Sequence, residues 1–277
     1  MSEFILSAFG DEISPHLDEE MQVLKRHGIR HLELRSVENL SLIDTPLRQV
    51  HEIYRRVADQ GLAVSALASP IGKVAITDPF PPHLERFKRA LETADALHTR
   101  FIRMFSFYLP AGADPAAFRG EVLRRWAEFI AVAKGSALTL LHENEKGIYG
   151  DTAARCEDLL ESLGSDQVQA VFDPANFVQC GEATYPSALT RLDRFVVYLH
   201  IKDARTSDRV VVPAGQGDGR LPDILRHLHR RGFRGFLSIE PHLVDSLPGG
   251  GPEQFAVAVK ALTGILQTLD MPEERQG

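Results

Sequence analysis

Cysteine is scarce in this chain of 277 residues: only Cys156 and Cys180 occur, and neither stands in a CxxC or another metal-type spacing. A disulfide framework therefore has no support, and the two thiols read as reduced, as in a cytosolic protein. Long apolar runs are missing too. No window approaches the roughly 18 uninterrupted apolar residues that a membrane-spanning helix needs. The opening MSEFILSAFGDEIS has an acidic pair and no basic segment ahead of its apolar residues, so it does not read as a signal peptide. Nor is there an excess of positive charge: Lys+Arg 31 against Asp+Glu 38 gives a formal −7. That balance offers no electrostatic reason to gather on nucleic acid. Low-complexity linkers, charge blocks and internal repeats are absent, and the LPGGGP stretch at 247–252 reads as a loop. These absences leave a soluble cytoplasmic protein.

What is present fits one compact unit. Apolar residues at 44% and charged residues at 25% are average for a globular protein with a large core. The length suits one (β/α)₈ barrel, which needs roughly 250 residues, so 1–277 reads as a single domain. Short apolar runs and longer amphipathic stretches alternate from end to end, the pattern of a parallel sheet covered by helices. Eight rounds are legible, with strands expected at Phe4–Ala8, His31–Leu34, Ala63–Leu67, Phe101–Phe105, Leu138–Glu143, Gln169–Phe172, Val196–Ile201 and Phe236–Glu240. In HLERFKRALETADAL, residues Leu84, Phe87, Leu91, Ala94 and Leu97 form one helical stripe. In GDTAARCEDLLESLG, Asp151 or Thr152 can cap the helix start and Gly164 can end it. Eight rounds favour an α/β fold of the closed (β/α)₈ type over an open sheet.

In such a barrel the chemistry lies where strands end. Glu143 closes the fifth apolar run, Asp173 the sixth, His200 the seventh and Glu240 the eighth. Three carboxylates and an imidazole brought together without a cation would repel one another and raise at least one carboxyl pKa. One divalent ion resolves that conflict. Oxygen-rich ligation with one nitrogen suits Mn²⁺, Mg²⁺, Co²⁺ or Zn²⁺.

The runs HENEKGIYGDTAARC, VFDPANFVQCGE, YLHIKDA, VVPAGQGDG and FLSIEPHL resemble those of the sugar phosphate isomerase/epimerase family, the xylose-isomerase-like TIM barrels. The resemblance spans essentially the whole chain and is strongest over 138–242. It implies that Glu143, Asp173, His200 and Glu240 coordinate the metal, and that Glu143 and Glu240 also serve as the acid/base pair on opposite faces of a sugar. The implied activity is metal-dependent isomerisation or epimerisation of a small sugar, sugar phosphate or related ketone. The route is proton transfer through a metal-stabilised enediolate.

The same superfamily contains inosose dehydratases, so water loss is the alternative outcome. A non-catalytic sugar-binding module is a further one. The abasic-site endonucleases that share the barrel use more histidines than this region supplies, and the chain is acidic. The implied partner is a small carbohydrate, and the helical outer surface would permit a homo-oligomer.

Other polar residues carry weaker expectations. Glu145 and Lys202 lie two past Glu143 and His200, where strand alternation points them into the same cavity, for substrate contacts or as a solvated loop. Arg103 and Lys73 could bind a phosphate or carboxylate, or serve in surface ion pairs. Asn176 stands where the family often has histidine; asparagine can hydrogen-bond a substrate hydroxyl but cannot exchange a proton at neutral pH. Glu12 and Glu33 could line the barrel mouth or fix a loop, and His242 could rim it. His142 should point away from the site, and GQGDG at 215–219 reads as a tight loop near the metal, without a dinucleotide fingerprint.

Overall fold

The computed structural model describes residues 3–269; residues 1–2 and 270–277, the two ends of the expected domain, lie outside it. Eight parallel strands close into a barrel: β1 (Glu3–Phe9), β2 (His31–Leu34), β3 (Ala63–Ala68), β4 (Phe101–Met104), β5 (Thr139–Glu143), β6 (Val168–Phe172), β7 (Val196–Ile201) and β8 (Arg234–Ile239). Each strand hydrogen-bonds its sequence neighbours, and β8 closes on β1. The outer layer comprises α1 (Leu17–Arg26), α2 (Leu47–Asp59), α3 (Phe80–Ala96), α4 (Arg119–Ala133) and α5 (Ala153–Leu163). It continues with two short pieces after β6, α6 (Pro174–Gln179) and α7 (Leu189–Leu192), and then α8 (Leu221–Arg230) and α9 (Gly251–Gln267). The α/β barrel read from the sequence is the fold observed.

Strand positions agree with expectation to within two residues, and the differences have local causes. The fourth strand stops at Met104, one residue early, because the Phe105 amide turns to donate to Ile71 O at 2.8 Å. The eighth stops at Ile239, which leaves Glu240 on the first loop residue with its amide 3.3 Å from Ile201 O. The expected punctuation of α5 is present: Thr152 Oγ1 accepts from the Arg155 amide, and Gly164 ends the helix with φ 53°.

Strand alternation divides the core into two parts. Inward-facing Ala66, Leu141, Val171 and Tyr198 fill the barrel together with Phe101 and Phe236. Outward-facing residues join the apolar faces of the helices in the larger cluster, where Phe87 and Phe129 pack at 4.6 Å between ring centres. Truncating either ring to alanine removes on the order of 3–5 kcal/mol. His142 belongs to this outer layer, as alternation required. Its ring lies edge-on to Trp126 of α4 at 5.8 Å, and Nε2 is 2.9 Å from Ser106 Oγ. Burial lowers its pKa to about 4, so it is a neutral core histidine.

One buried acid lies off the barrel axis. Glu20 of α1 is 0% exposed, and neither carboxyl oxygen has a hydrogen-bond partner among the described residues. A Cβ on Gly10 would come within 2.0 Å of Glu20 Oε2, so any larger residue there would displace the Glu20 carboxyl. Burial, reinforced by Asp11 and Glu38 and opposed by Arg56, raises the Glu20 pKa to about 8.

Folding therefore keeps a proton that the unfolded chain releases near pH 4.5, and this contribution to stability falls as pH rises from about 4.5 to 8. Glu20→Gln should abolish that part of the pH dependence and stabilise the protein at pH 8 by up to about 4 kcal/mol. Thermal melts of both proteins across pH 5–8 check this; parallel curves would show that the buried carboxyl is not the cause.

Candidate metal centre

The alternation that packs the barrel also builds its mouth. On β5 the inward residues are Leu141 and then Glu143; on β6, Val171 and then Asp173; on β7, Tyr198 and then His200; on β8, Phe236, Ser238 and then Glu240. Each series begins apolar and ends in a ligand-type side chain. Glu143, Asp173, His200 and Glu240 are all buried, and each offers one atom within 4.8 Å of the others. His200 Nδ1 faces the three carboxyls: Glu143 Oε1 at 3.1 Å, Glu240 Oε2 at 3.7 Å and Asp173 Oδ2 at 3.8 Å.

The charge around these groups is arranged in pairs. Lys202 Nζ is 2.7 Å from both Asp173 Oδ2 and Glu240 Oε2. Arg103 Nη1 is 3.0 Å from Glu143 Oε2, and Nη2 donates to Ala68 O. Burial works against every charged form here, but the partners outweigh it. His200 and Arg103 hold the Glu143 carboxyl far below its ordinary range, and Lys202 with His242 does the same for Glu240. Glu143 and Glu33 raise the His200 pKa well above its usual value. Asp173 and Glu240 likewise raise that of Lys202.

Second contacts fix the four ligand-type side chains. Asn144 bonds both backbone groups of Asp173, its Oδ1 accepting from the Asp173 amide and its Nδ2 donating to the carbonyl, each at 2.9 Å. Asp173 in turn caps α6 by accepting from the Asn176 amide at 2.9 Å. Asp203, next to Lys202, accepts from the amides of Gly215, Gly217 and Gly219 at 2.8–3.1 Å, which ties the GQGDG loop to the end of β7.

The secondary candidates fall into two groups. Arg103 and Lys202 are buried among the ligand-type residues, so Arg103 is no surface ion pair and Lys202 no solvated loop residue. Asn176 is there too, with Nδ2 donating to Glu143 Oε1 at 3.3 Å and to Asn144 O at 3.0 Å. Lys73 and Glu145 pair with each other at 3.0 Å, with Lys73 Nζ 4.3 Å from the centre of the Phe105 ring. Glu12 and His242 meet at the rim at 2.9 Å, and His242 lies 3.4 Å from Glu240.

Arg35 was not singled out from the sequence. Its guanidinium bonds Asp11 at 2.7 Å and Glu12 at 2.8 Å and lies 3.8 Å from Glu240. The available signal was its place two residues past Glu33, the same alternation that relates Glu145 to Glu143.

The donor set fits a divalent ion. Three hard oxygens and one imidazole nitrogen are the ligand types such ions take. Asp173 Oδ2 is buried between Lys202 Nζ at 2.7 Å and His200 Nδ1 at 3.8 Å, on the side where the other donor atoms converge.

In chelator-treated protein Lys202 is a principal counter-charge, so Lys202→Met should destabilise by about 3 kcal/mol or more, as removing one partner of a buried ion pair does. Chemical denaturation in excess chelator measures it; a loss below 0.5 kcal/mol, about the scale of an exposed pair, would show that Lys202 does not balance these carboxylates.

Comparison with known proteins supplies the lineage. No curated protein matches the sequence. Three solved structures superpose over nearly the full chain. The IOLI protein with a bound zinc atom is 17% identical, with TM-score 0.77 and coverage of 96% of this chain and 99% of that one. The probable 3-DHS dehydratase AsbF from Bacillus anthracis is 14% identical, with TM-score 0.76 and coverage of 95% and 99%. The 3-keto-D-glucoside 4-epimerase YcjR from E. coli is 15% identical, with TM-score 0.70 and coverage of 96% and 100%. At such identities the likeness speaks for the fold. The family model described as xylose isomerase-like TIM barrel matches residues 21–263, nearly the whole barrel, and the chain therefore belongs to that family.

Proposed function

We propose that this protein is a divalent-metal-dependent enzyme that isomerises or epimerises a small sugar, sugar phosphate or related ketone. The observation that carries this reading is the convergence of four buried donor atoms from four adjacent strand ends. A divalent ion held by Glu143, Asp173, His200 and Glu240 would polarise a substrate carbonyl and its neighbouring hydroxyl and acidify the α C–H. The IOLI protein, which shares the fold, carries a bound zinc atom, and this supports a metal-binding role for the barrel.

The protein's own groups supply the proton transfers. Glu143 and Glu240 flank Asp173 and His200 on the outer two strands of the set, and their cationic neighbours keep both ionised at neutral pH; carboxylates so weakly basic would suffice where a bound ion had acidified the α C–H. One takes the α-proton from one face of the substrate, and the other delivers a proton to the opposite face. Arg103 and Asn176 hold Glu143 from two sides, which keeps its carboxyl aimed at the reacting carbon. Lys73, Glu145, Arg35 and His242 stand at the mouth, where substrate hydroxyl or phosphate groups would be met. A cytoplasmic location accords with the two free thiols.

A second reading, dehydration, has its own support. The same base could remove an α-proton and a β-hydroxyl could then leave, and the chain is similar to AsbF as well as to YcjR. Asn176, in the place where the family often has histidine, withdraws one proton-exchanging group from the epimerase pattern. Product analysis by NMR separates an epimer or isomer from loss of water.

Purified protein should bind one divalent ion per chain, and a screen of ketoses, ketose phosphates and inososes with Mn²⁺, Mg²⁺ and Co²⁺ should find turnover. Glu143→Gln and Glu240→Gln keep an oxygen ligand but lose the proton acceptor, so each should lower turnover by about 10²-fold or more. In deuterated water the wild type should place solvent deuterium at the α-carbon. Product free of deuterium would indicate a hydride shift, and undiminished activity in both variants would remove these residues from the chemistry.

A further inference from the structure

Glu33 lies on β2, across the barrel from the four strands that carry the donor set, and it is 0% exposed. A carboxyl group so deep is costly unless both oxygens are engaged. Here both are. Oε1 is 3.3 Å from His200 Nε2, and Oε2 accepts from the Tyr198 hydroxyl at 2.8 Å. That hydroxyl lies 2.9 Å from Ser65 Oγ, which is itself 2.6 Å from Ser7 Oγ. A polar column thus rises through the barrel from β1 and β3 to the ring of His200.

We propose that Glu33 is a positioning residue for His200: it engages Nε2–H and thereby commits Nδ1 to face Glu143, Asp173 and Glu240. The inference rests on the reading of His200 as a ligand. Packing alone does not set the ring's orientation. Phe9 meets the imidazole edge-on at 5.1 Å and Tyr198 at 5.9 Å, contacts that fix its plane. Turning the ring over within that plane would keep both contacts but face carbon atoms toward Glu33 and the carboxyl set. Directional acceptors distinguish the two states: Glu143 Oε1, 3.1 Å from Nδ1, and Glu33 on the far side, which is the one that stays with the ring once Nδ1 takes a metal.

The backbone is arranged to deliver this acceptor. The β2–β3 register shifts between Leu32 and Glu33, where Leu32 pairs with Val64 but Glu33 pairs with Ala66, so Ser65 is the extra residue. Such a bulge re-aims the side chains beside it. It sets Ser65 under Tyr198 and directs Glu33 inward at the same step.

Two measurements test the proposal on the intact chain. Calorimetry with Mn²⁺ should show affinity reduced about 10-fold in Glu33→Gln and nearer 100-fold in Glu33→Ala, with melting temperatures confirming that each variant is folded. In metal-free protein, the His200 Nε2–H proton should be protected from solvent exchange in the wild type and lose that protection in Glu33→Ala. A purely structural glutamate would lower the melting temperature while leaving Mn²⁺ affinity and the His200 proton unchanged, and that result would overturn the proposal. Should Glu33→Ala fail to fold, Glu33→Gln decides: wild-type Mn²⁺ affinity in it contradicts the role. Absence of Mn²⁺ uptake by the wild type would instead refute the metal-enzyme reading, and the His200 proton would then decide the role of Glu33 alone.

Discussion

Crowding carboxyl groups into the dry mouth of a barrel is the constraint on which the rest of this structure depends. Glu143, Asp173, Glu240 and Glu33 share one water-poor space with His200. Like charges at such separations repel strongly, and burial penalises each ionised form. Arg103 and Lys202 answer part of that cost through ion pairs of 2.7–3.0 Å. With His200 neutral, as a ligand must be, the four carboxyl groups outnumber the two buried cations Arg103 and Lys202, while Arg35 and His242 reach only Glu240 from the rim; a divalent ion would supply the missing positive charge. A protonated His200, held by Glu143 and Glu33, is the partial substitute that the protein can supply from its own residues.

Everything around the site serves to hold those groups in place. The lower layers of the barrel, apolar apart from the column of Ser7, Ser65 and Tyr198, are closely filled, and strand alternation brings the next inward residue of each strand to the mouth. Asn144 locks the backbone at Asp173, α6 begins on its carboxyl, and the Asp203 loop fixes the end of β7 beside Lys202. Side chains set by strands and braced by separate hydrogen bonds are what a site would need in order to hold an ion and orient a substrate in one geometry.

The sequence made the barrel and the four convergent side chains legible because both follow from one rule. Period-2 alternation places Glu143 in register with Leu141, and His200 with Tyr198, and the same rule correctly turned His142 toward Trp126. Contacts between distant strands were not legible. The reach of Glu33 to His200 depends on barrel closure and on the register shift at Ser65, neither of which leaves a local signature. Arg35 joins acidic residues from two loops, Asp11 and Glu12 after β1 and Glu240 after β8. The burial of Glu20 against Gly10 is likewise a contact between separate segments. Arg103, read as a possible surface pair, became a buried one because β4 ends beside β5, opposite Glu143.

The most direct test of the central claim is anomalous scattering from crystals grown with Mn²⁺. The account predicts one anomalous peak per chain, within about 2.0–2.4 Å of Glu143, Asp173, His200 Nδ1 and Glu240. No peak among these four residues, or a peak confined to the Glu12–His242 pair at the rim, would contradict it.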